Sequence, residues 1–292
     1  MRLPALLAAL LTLAACGQAG PPPGFEGTPS PALFEVSSAD GEVEGWLFGT
    51  IHSLPDGVEW RTGPLDDVVS RADLLVVEVR DLDDAAGLRD AFAARARTAG
   101  QPPLADKVPP RLRGDLAAIL TEHDLSPDTF ADIETWAAAL TLAQYAETGD
   151  SANGVDRALL REMPRAKVVE LEGADAQFDV FDRLPETEQR DLLAAVIVDM
   201  ERNRESPAVH AADWYKGRID HLADRETSAM LADPELREAL YAARNRAWAT
   251  RLTALLRRDP RPLVAVGSAH LAGEDGLPAL LSAQGYTVRR IQ

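Results

Sequence analysis

Short apolar runs with the length and branching of buried β-strands lie near the two ends of this chain, and the stretch between them carries helical spacing. The runs are 33–36 and 44–51, flanking Ser38-Ala39-Asp40-Gly41 as a hairpin with Asp-Gly at the turn, then Leu74-Leu75-Val76-Val77-Glu78-Val79, Val168-Val169-Glu170-Leu171-Glu172 and Pro262-Leu263-Val264-Ala265-Val266. Residues 286–291 read as an edge strand. Between the runs, 109–123, 133–147, 185–204 and 234–257 read as helices, the third amphipathic through Leu192, Leu193, Val196, Ile197 and Met200. A sheet made from these runs closes only by pairing segments far apart in sequence. The expected fold is therefore α/β or α+β, a central sheet built from strands near both chain ends with a large helical insertion over roughly 85–260.

The amino terminus sets the compartment. Arg2 is followed by an apolar stretch, 3–15, broken only by Pro4 and Thr12 and ending in Leu13-Ala14-Ala15-Cys16-Gly17. As a helix it spans about 20 Å, short of the roughly 30 Å hydrocarbon core, so it reads as a signal-peptide core and not a permanent span. The tail resembles the bacterial lipobox, in which cleavage leaves the cysteine as the acylated amino terminus. Residues 1–15 are thus expected to be signal peptide and Cys16 the lipidation site; the alternative is an ordinary secretory signal with a chance cysteine. Residues 16–31, rich in proline and glycine with little to bury, read as a flexible tether, and 32–292 as one domain. The expected product is an exported lipoprotein on the periplasmic or extracytoplasmic face of a bacterial envelope.

Composition narrows the chemistry. Cys16 is the only cysteine, so its acylation leaves no disulfide, no thiol nucleophile and no thiolate zinc site. A net charge of −17 repels nucleic acid and anionic lipid heads, which sets nucleic acid aside as a partner and leaves the lipid anchor to hold the membrane. The sequence has no Gly-x-Ser-x-Gly elbow, no phosphate loop and no His-Glu-x-x-His.

One small pattern occurs twice. Trp46-Leu47-Phe48-Gly49-Thr50-Ile51-His52 and Leu263-Val264-Ala265-Val266-Gly267-Ser268-Ala269-His270 are each a strand followed by Gly-x-x-His. Each sets a histidine just beyond a buried strand, after a glycine that lets the backbone pass close to something. Sites in α/β sheets lie at the carboxyl ends of strands, so adjacent strands would bring both imidazoles to one pocket. Glu78, in an otherwise apolar strand, is a third candidate, because a carboxylate there is costly unless a cation or donor meets it. Two histidines and a carboxylate suit a hard-to-borderline metal ion, which would acidify water and polarise a carbonyl.

Taken in order, Gly49-Thr50-Ile51-His52, Glu78, Gly154-Val155-Asp156, Leu171-Glu172 with Gln177, Arg244-Asn245, and Val266-Gly267-Ser268-Ala269-His270-Leu271 followed by Gly276, Leu280 and Gly285-Tyr286 resemble the TraB/PrgY/GumN family over about 33–291. The resemblance implies kinship with the Tiki membrane-anchored metalloproteases, which use paired Gly-x-x-His motifs and a glutamate with a divalent ion such as manganese or cobalt. It also implies a distant likeness to erythromycin esterases. By that resemblance His52, Glu78 and His270 are catalytic and metal-holding, and Arg244 stabilises an anionic intermediate. Gly49, Thr50, Glu172, Asn245 and Gly267 are binding positions around them. Gly49 departs from the esterase pattern, which has a glutamate at that place.

Each residue also has a plainer reading. His52 and His270 could be core histidines at strand ends, and Glu78 the partner of a core arginine. Glu172 alternates outward with Glu170, as on a solvated face. Arg244, on a charged helix with Arg237 and Arg246, reads as surface from its neighbours alone, and so do His123, His210 and His221. Asp156 reads as a cap or brace of the helix it begins. Two functions follow from the constellation: a metal-dependent hydrolase of peptide or ester bonds, or a lipoprotein that sequesters a peptide or small molecule without turnover. A third possibility is a structural lipoprotein whose helical insertion is an interface.

Overall fold

The structure is a computed structural model that describes residues 21–292 apart from 147 and 259. Cys16 and the expected signal peptide lie outside the described residues. Among the described residues the strands are β1 (Leu33–Ser37), β2 (Val43–Thr50), β3 (Leu74–Val77), β4 (Val168–Glu170), β5 (Pro262–Gly267) and β6 (Thr287–Arg290). They form one sheet in the order β4-β3-β5-β2-β1-β6. β4, β3, β5 and β2 run parallel, and β1 runs antiparallel to β2 and β6. β2, from the amino-terminal end, pairs directly with β5, from the carboxyl-terminal end, as the distribution of apolar runs required.

Alternation along the strands explains why these runs are apolar throughout. Trp46, Phe48, Leu75, Val77, Leu263 and Ala265 face one side; Leu47, Val76, Val264 and Val266 face the other. A sheet covered on both faces has no polar side to present. The α-helices up to residue 215 are α1 (Gly63–Arg71), α2 (Ala85–Ala93), α3 (Arg113–Glu122), α4 (Thr135–Ala146), α5 (Val155–Glu162), α6 (Ala174–Asp182), α7 (Glu186–Asn203) and α8 (Val209–Tyr215). The first face packs on α1, α5 and α8 through Leu65, Val68, Val155, Leu159 and Trp214. The second packs on helices Ala243–Leu256 and Leu277–Ala283 through Trp248, Leu252, Leu256, Leu277 and Leu281. The insertion has a core of its own, in which α3, α4 and α7 meet around Trp136, Leu142, Leu192, Leu193 and Ile197. Among the described residues no helix is long and apolar enough to cross a membrane.

Three expectations are corrected. The tether does not hang free over its whole length: Phe25 is buried, meets Tyr215 edge-on at 5.4 Å, and the Tyr215 hydroxyl donates to the Gly27 carbonyl at 2.9 Å. The Ser30 N–H also donates to the Tyr215 carbonyl at 2.8 Å, so ring burial and backbone bonds together dock a segment whose proline-restricted backbone has less freedom to lose. β3 ends at Val77, so Glu78 stands one residue beyond the strand and not inside it. The helix expected over 234–257 is interrupted by a π-helical turn, Glu238–Ala242, which rotates the face that follows it.

Candidate functional site

The parallel strands end together. Thr50 is in register with Gly267, and Val77 with Ala265 and Glu170. The segments just beyond them, carrying His52, Glu78, Glu172 and His270, therefore leave the sheet at one edge, where α/β folds build sites. The two glycines serve close packing. A Cβ on Gly49 would lie 2.5 Å from the Ser268 hydroxyl oxygen, and one on Gly267 would lie 3.3 Å from Glu78 Oε1.

His52 is held from the side of α5. Its Nδ1 lies 2.9 Å from Asp156 Oδ2, while the Thr50 hydroxyl donates to Asp156 Oδ1 at 2.5 Å. An ionised carboxylate only accepts, so Nδ1 carries the proton and Nε2 has the lone pair. The Asp156 side chain is 7% exposed and that of His52 60%: the carboxylate is buried and the imidazole it aims stands in the open. The loop is pinned by the Val155 N–H, which donates to the Ile51 carbonyl at 2.9 Å, and by Gly154, where a Cβ would fall 2.3 Å from the His52 carbonyl oxygen. Asp156 is thus the site residue whose role its local sequence concealed. It opens a helix, as a brace would, but its carboxylate points at β2 and the loop after it.

His270 has the opposite surroundings. It is buried in a short 3-10 turn, Ser268–Leu271, with Trp248 at 4.6 Å and Tyr241 stacked at 5.6 Å. Asn245 donates its amide to the Asp275 carbonyl at 2.8 Å, which leaves Asn245 Oδ1 to accept from His270 Nδ1 at 2.6 Å. Its Nε2 then faces Arg244 Nη1 at 3.4 Å. Burial pushes the His270 imidazolium down to about 4, against the pull of Glu78.

Arg244 ties the floor together. Nη2 donates to Glu78 Oε2 and to Glu172 Oε2, each at 2.9 Å; Nε donates to Glu172 Oε1 at 3.0 Å; Nη1 donates to the Leu240 carbonyl at 3.2 Å as well as toward His270. A guanidinium has five N–H groups, and this pattern uses all of them. Glu172 also accepts from Trp248 Nε1 at 2.9 Å. Glu172 and Arg244 are therefore interior partners, 13% and 11% exposed at the side chain, and not the surface groups that their neighbours in sequence suggest. Glu78 accepts from the Gly267 N–H at 2.8 Å and Gln177 at 3.3 Å in addition to Arg244. Burial alone would raise its carboxyl; His270, Arg244, His52 and that N–H together hold it down to about 2.

The predicted residues divide into two groups. Glu78, Glu172, Arg244, Asn245, Gly267 and His270 form one bonded cluster, and Thr50 joins His52 and Asp156 in another. His52 is near enough to act electrostatically on both Glu78 and His270. The three do not close as a ligand set: among the described residues, the one trio of His, Cys, Asp or Glu with ligand atoms all within 4.8 Å is Glu188, Asp233 and Glu235, in the helical lobe. Arg244 instead meets Glu78 and His270 with its own positive charge. Three carboxylates, Glu78, Glu172 and Asp156, against one guanidinium leave two negative charges when both imidazoles are neutral. That field favours a cation beside the imidazoles.

A cavity of about 900 Å³ opens at His52, lined by Leu88, Phe92, Leu140 and Phe178 on its apolar side and by Asp156, Arg157 and Gln177 on its polar side. A model of the TraB/PrgY/gumN family matches residues 32–290, which takes in every element of the sheet and both histidine loops. Comparison with curated proteins and with solved structures gives no match.

Proposed function

The chain belongs to the TraB/PrgY/gumN family, and from that premise and the site geometry we propose that it is an exported, lipid-anchored hydrolase of peptide or ester bonds in which His52, backed by Asp156, activates the attacking water. The observation that carries this reading is the buried Asp156 carboxylate on Nδ1 of an imidazole that stands open to a 900 Å³ cavity. A base needs a lone pair toward solvent, a fixed tautomer and a group that stabilises its protonated form. Asp156 supplies the last two, and a His52 side chain that is 60% exposed at the cavity gives substrate and water access to the ring.

In this mechanism His52 Nε2 takes a proton from water as the water oxygen attacks the substrate carbonyl. Asp156 stabilises the imidazolium, which returns the proton to the leaving amine or alkoxide. His270 stays neutral near pH 7 and is fixed by Asn245 and by Trp248 and Tyr241. Arg244 is a positioning residue: all its N–H groups are engaged, and it holds Glu78 and Glu172 charged and in place.

A second form of the reading includes a divalent ion such as manganese or cobalt. Both imidazoles are backed through Nδ1, the arrangement that orients metal-binding histidines, and the site carries excess negative charge. His52, Glu78 and His270 are the residues that would hold the ion, although as they stand they do not close around one and Arg244 bonds both Glu78 and His270. Such an ion supplies an acidified water and a polarised carbonyl.

The test is turnover of mixed peptide and ester substrates by the purified chain, after chelation and after addition of manganese or cobalt, with metal content measured for the parent, His52→Ala and His270→Ala. Chelator-resistant turnover lost in His52→Ala supports the first form; stoichiometric metal lost in either variant supports the second. Binding without turnover under every condition leaves a sequestering lipoprotein. The anchor is tested separately: Cys16→Ser releases the protein from the membrane fraction, and retention after a salt wash would place the anchor elsewhere.

A further inference from the structure

His52 lines two cavities. Besides the larger one, a second of about 300 Å³ lies on the other side of the last turns of α4. Leu140, Thr141 and Gln144 face the larger space, while Ala143 and Ala146 of the same helix face the smaller. The wall carrying His52 is thus a partition, and a chain lying across His52 has room on both sides of it.

The two spaces differ in chemistry. The larger one mixes apolar side chains with Arg89, Arg157 and Asp150. In the smaller one Ile51, Val196, Met200 and Met230 present apolar surface, and Asp199, Asn203, His210 and Ser228 among them are already engaged. Asp199 accepts the Ala229 N–H at 2.9 Å, Asn203 and His210 Nε2 are 2.9 Å apart, and Ser228 accepts the Leu231 N–H at 3.3 Å. What this space offers a guest is burial of hydrocarbon, and its volume is at the lower end for a ligand pocket, suited to one side chain. The hydroxyl-bearing Ser53 and Thr148 line it as well, and they suit the amides that flank a side chain better than the tail of an acyl chain.

We propose that the smaller cavity is a specificity subsite that takes one large apolar side chain of a peptide substrate, leucine-, methionine- or phenylalanine-sized, next to the bond facing His52, with the larger cavity receiving the chain on the other side. This rests on the hydrolase reading for the bond, but its recognition step can be measured without turnover. Two of the protein's four methionines, Met200 and Met230, line the subsite, so labelled methionine methyl groups report its occupancy directly.

The experiment titrates the mature chain, labelled with ¹³C-methyl methionine, with N-acetyl-leucinamide, N-acetyl-phenylalaninamide, N-acetyl-glycinamide and hexanamide. The Met200 and Met230 methyl signals are expected to shift with the leucine and phenylalanine probes, more weakly with hexanamide and not with glycine, while Met163 stays fixed. Ala143→Leu fills the space and is expected to weaken leucinamide binding about 10-fold or more, the scale of one lost apolar side-chain burial; Ala146→Phe, at an exposed position, serves if Ala143→Leu fails to fold. Shifts as large with the glycine probe, shifts unchanged in the folded filled variant, or no shift with any probe would overturn the subsite. Tighter binding of hexanamide than of leucinamide would overturn the peptide assignment in favour of an acyl chain. Methyl shifts as expected in a chain that hydrolyses nothing would retire the hydrolase and keep the subsite. Hydrolysis indifferent to the size of the neighbouring side chain would do the reverse.

Discussion

The two Gly-x-x-His loops are nearly the same in sequence and opposite in surroundings. His52 stands 60% exposed with a buried carboxylate behind it; His270 is buried, with a neutral amide oxygen behind it and a guanidinium in front. The strand and the glycine deliver each imidazole to the edge of the sheet. What that imidazole can do is set by a residue far away in sequence, Asp156 on α5 for one and Asn245 on helix Ala243–Leu256 for the other. A repeated motif therefore marks a place and not a role.

If the comparison is right, the two loops fail differently. His52→Ala is expected to lower turnover by about 10²–10⁴-fold, the range for a lost general base, while costing about 1 kcal/mol, because the imidazole itself is exposed but its loss leaves the buried Asp156 carboxylate one hydrogen bond short. His270→Ala is expected to cost about 3 kcal/mol, as for other buried aromatic truncations. Thermal unfolding and steady-state kinetics on the same two proteins check this, and equal losses of stability would erase the distinction.

Arg244→Met probes the floor on the His270 side alone. It leaves Glu78 and Glu172 buried without their cation, and a broken buried pair costs about 3–5 kcal/mol. Denaturant unfolding reads the loss, and a variant as stable as the parent would show that the cluster is not what braces this edge. In the second form of the reading, added manganese or cobalt restores part of the loss, since an ion would take over the charge of Arg244.

Acid sharpens the comparison further. His270 takes its proton near 6.5 when unfolded and near about 4 when folded. Between these values the unfolded chain binds more protons, so this contribution is complete above about 6.5 and is lost as pH falls toward 4, on the order of 3 kcal/mol. Glu78 adds a loss of the same sign below its ordinary 4.5 and down to about 2. Stability measured against pH is expected to fall in the upper window in the parent and to stay flat there in His270→Gln. A parent curve flat from 6.5 to 4 would contradict the burial assigned to His270.

Much of this could be read from the chain. Unbroken apolar runs marked the strands, because a sheet covered on both faces needs them, and their placement near both ends implied the β2–β5 pairing. Glu78 stood out because a carboxylate beside such a run needs a partner. Charge patterns failed where direction mattered. Arg244 lies among charged helix residues, and the π-helical turn before it changes which way the helix faces. Glu172 alternates outward along an ideal strand, but β4 ends at Glu170, so the alternation no longer holds two residues later. Asp156 opens a helix, and its partners, Thr50 and His52, are more than 100 positions away. Phe25 was hidden by its setting, a single ring among prolines and glycines whose composition says nothing of what it docks against.

The working half of the pair is tested most directly by Asp156→Asn against Asn245→Ala, each compared with the parent in turnover of a cleaved substrate at pH 7. Asparagine keeps the shape of Asp156 and removes the charge that stabilises an imidazolium on His52; the Asn245 variant removes the backing of His270. The expected result is a fall of about 10²-fold or more in kcat for Asp156→Asn, the scale of general-base catalysis, with a much smaller fall in kcat and a larger loss of stability for Asn245→Ala. A folded Asp156→Asn protein with the parent's kcat, or a kcat lost only in Asn245→Ala, would contradict the assignment of His52 as the base and move the chemistry to His270.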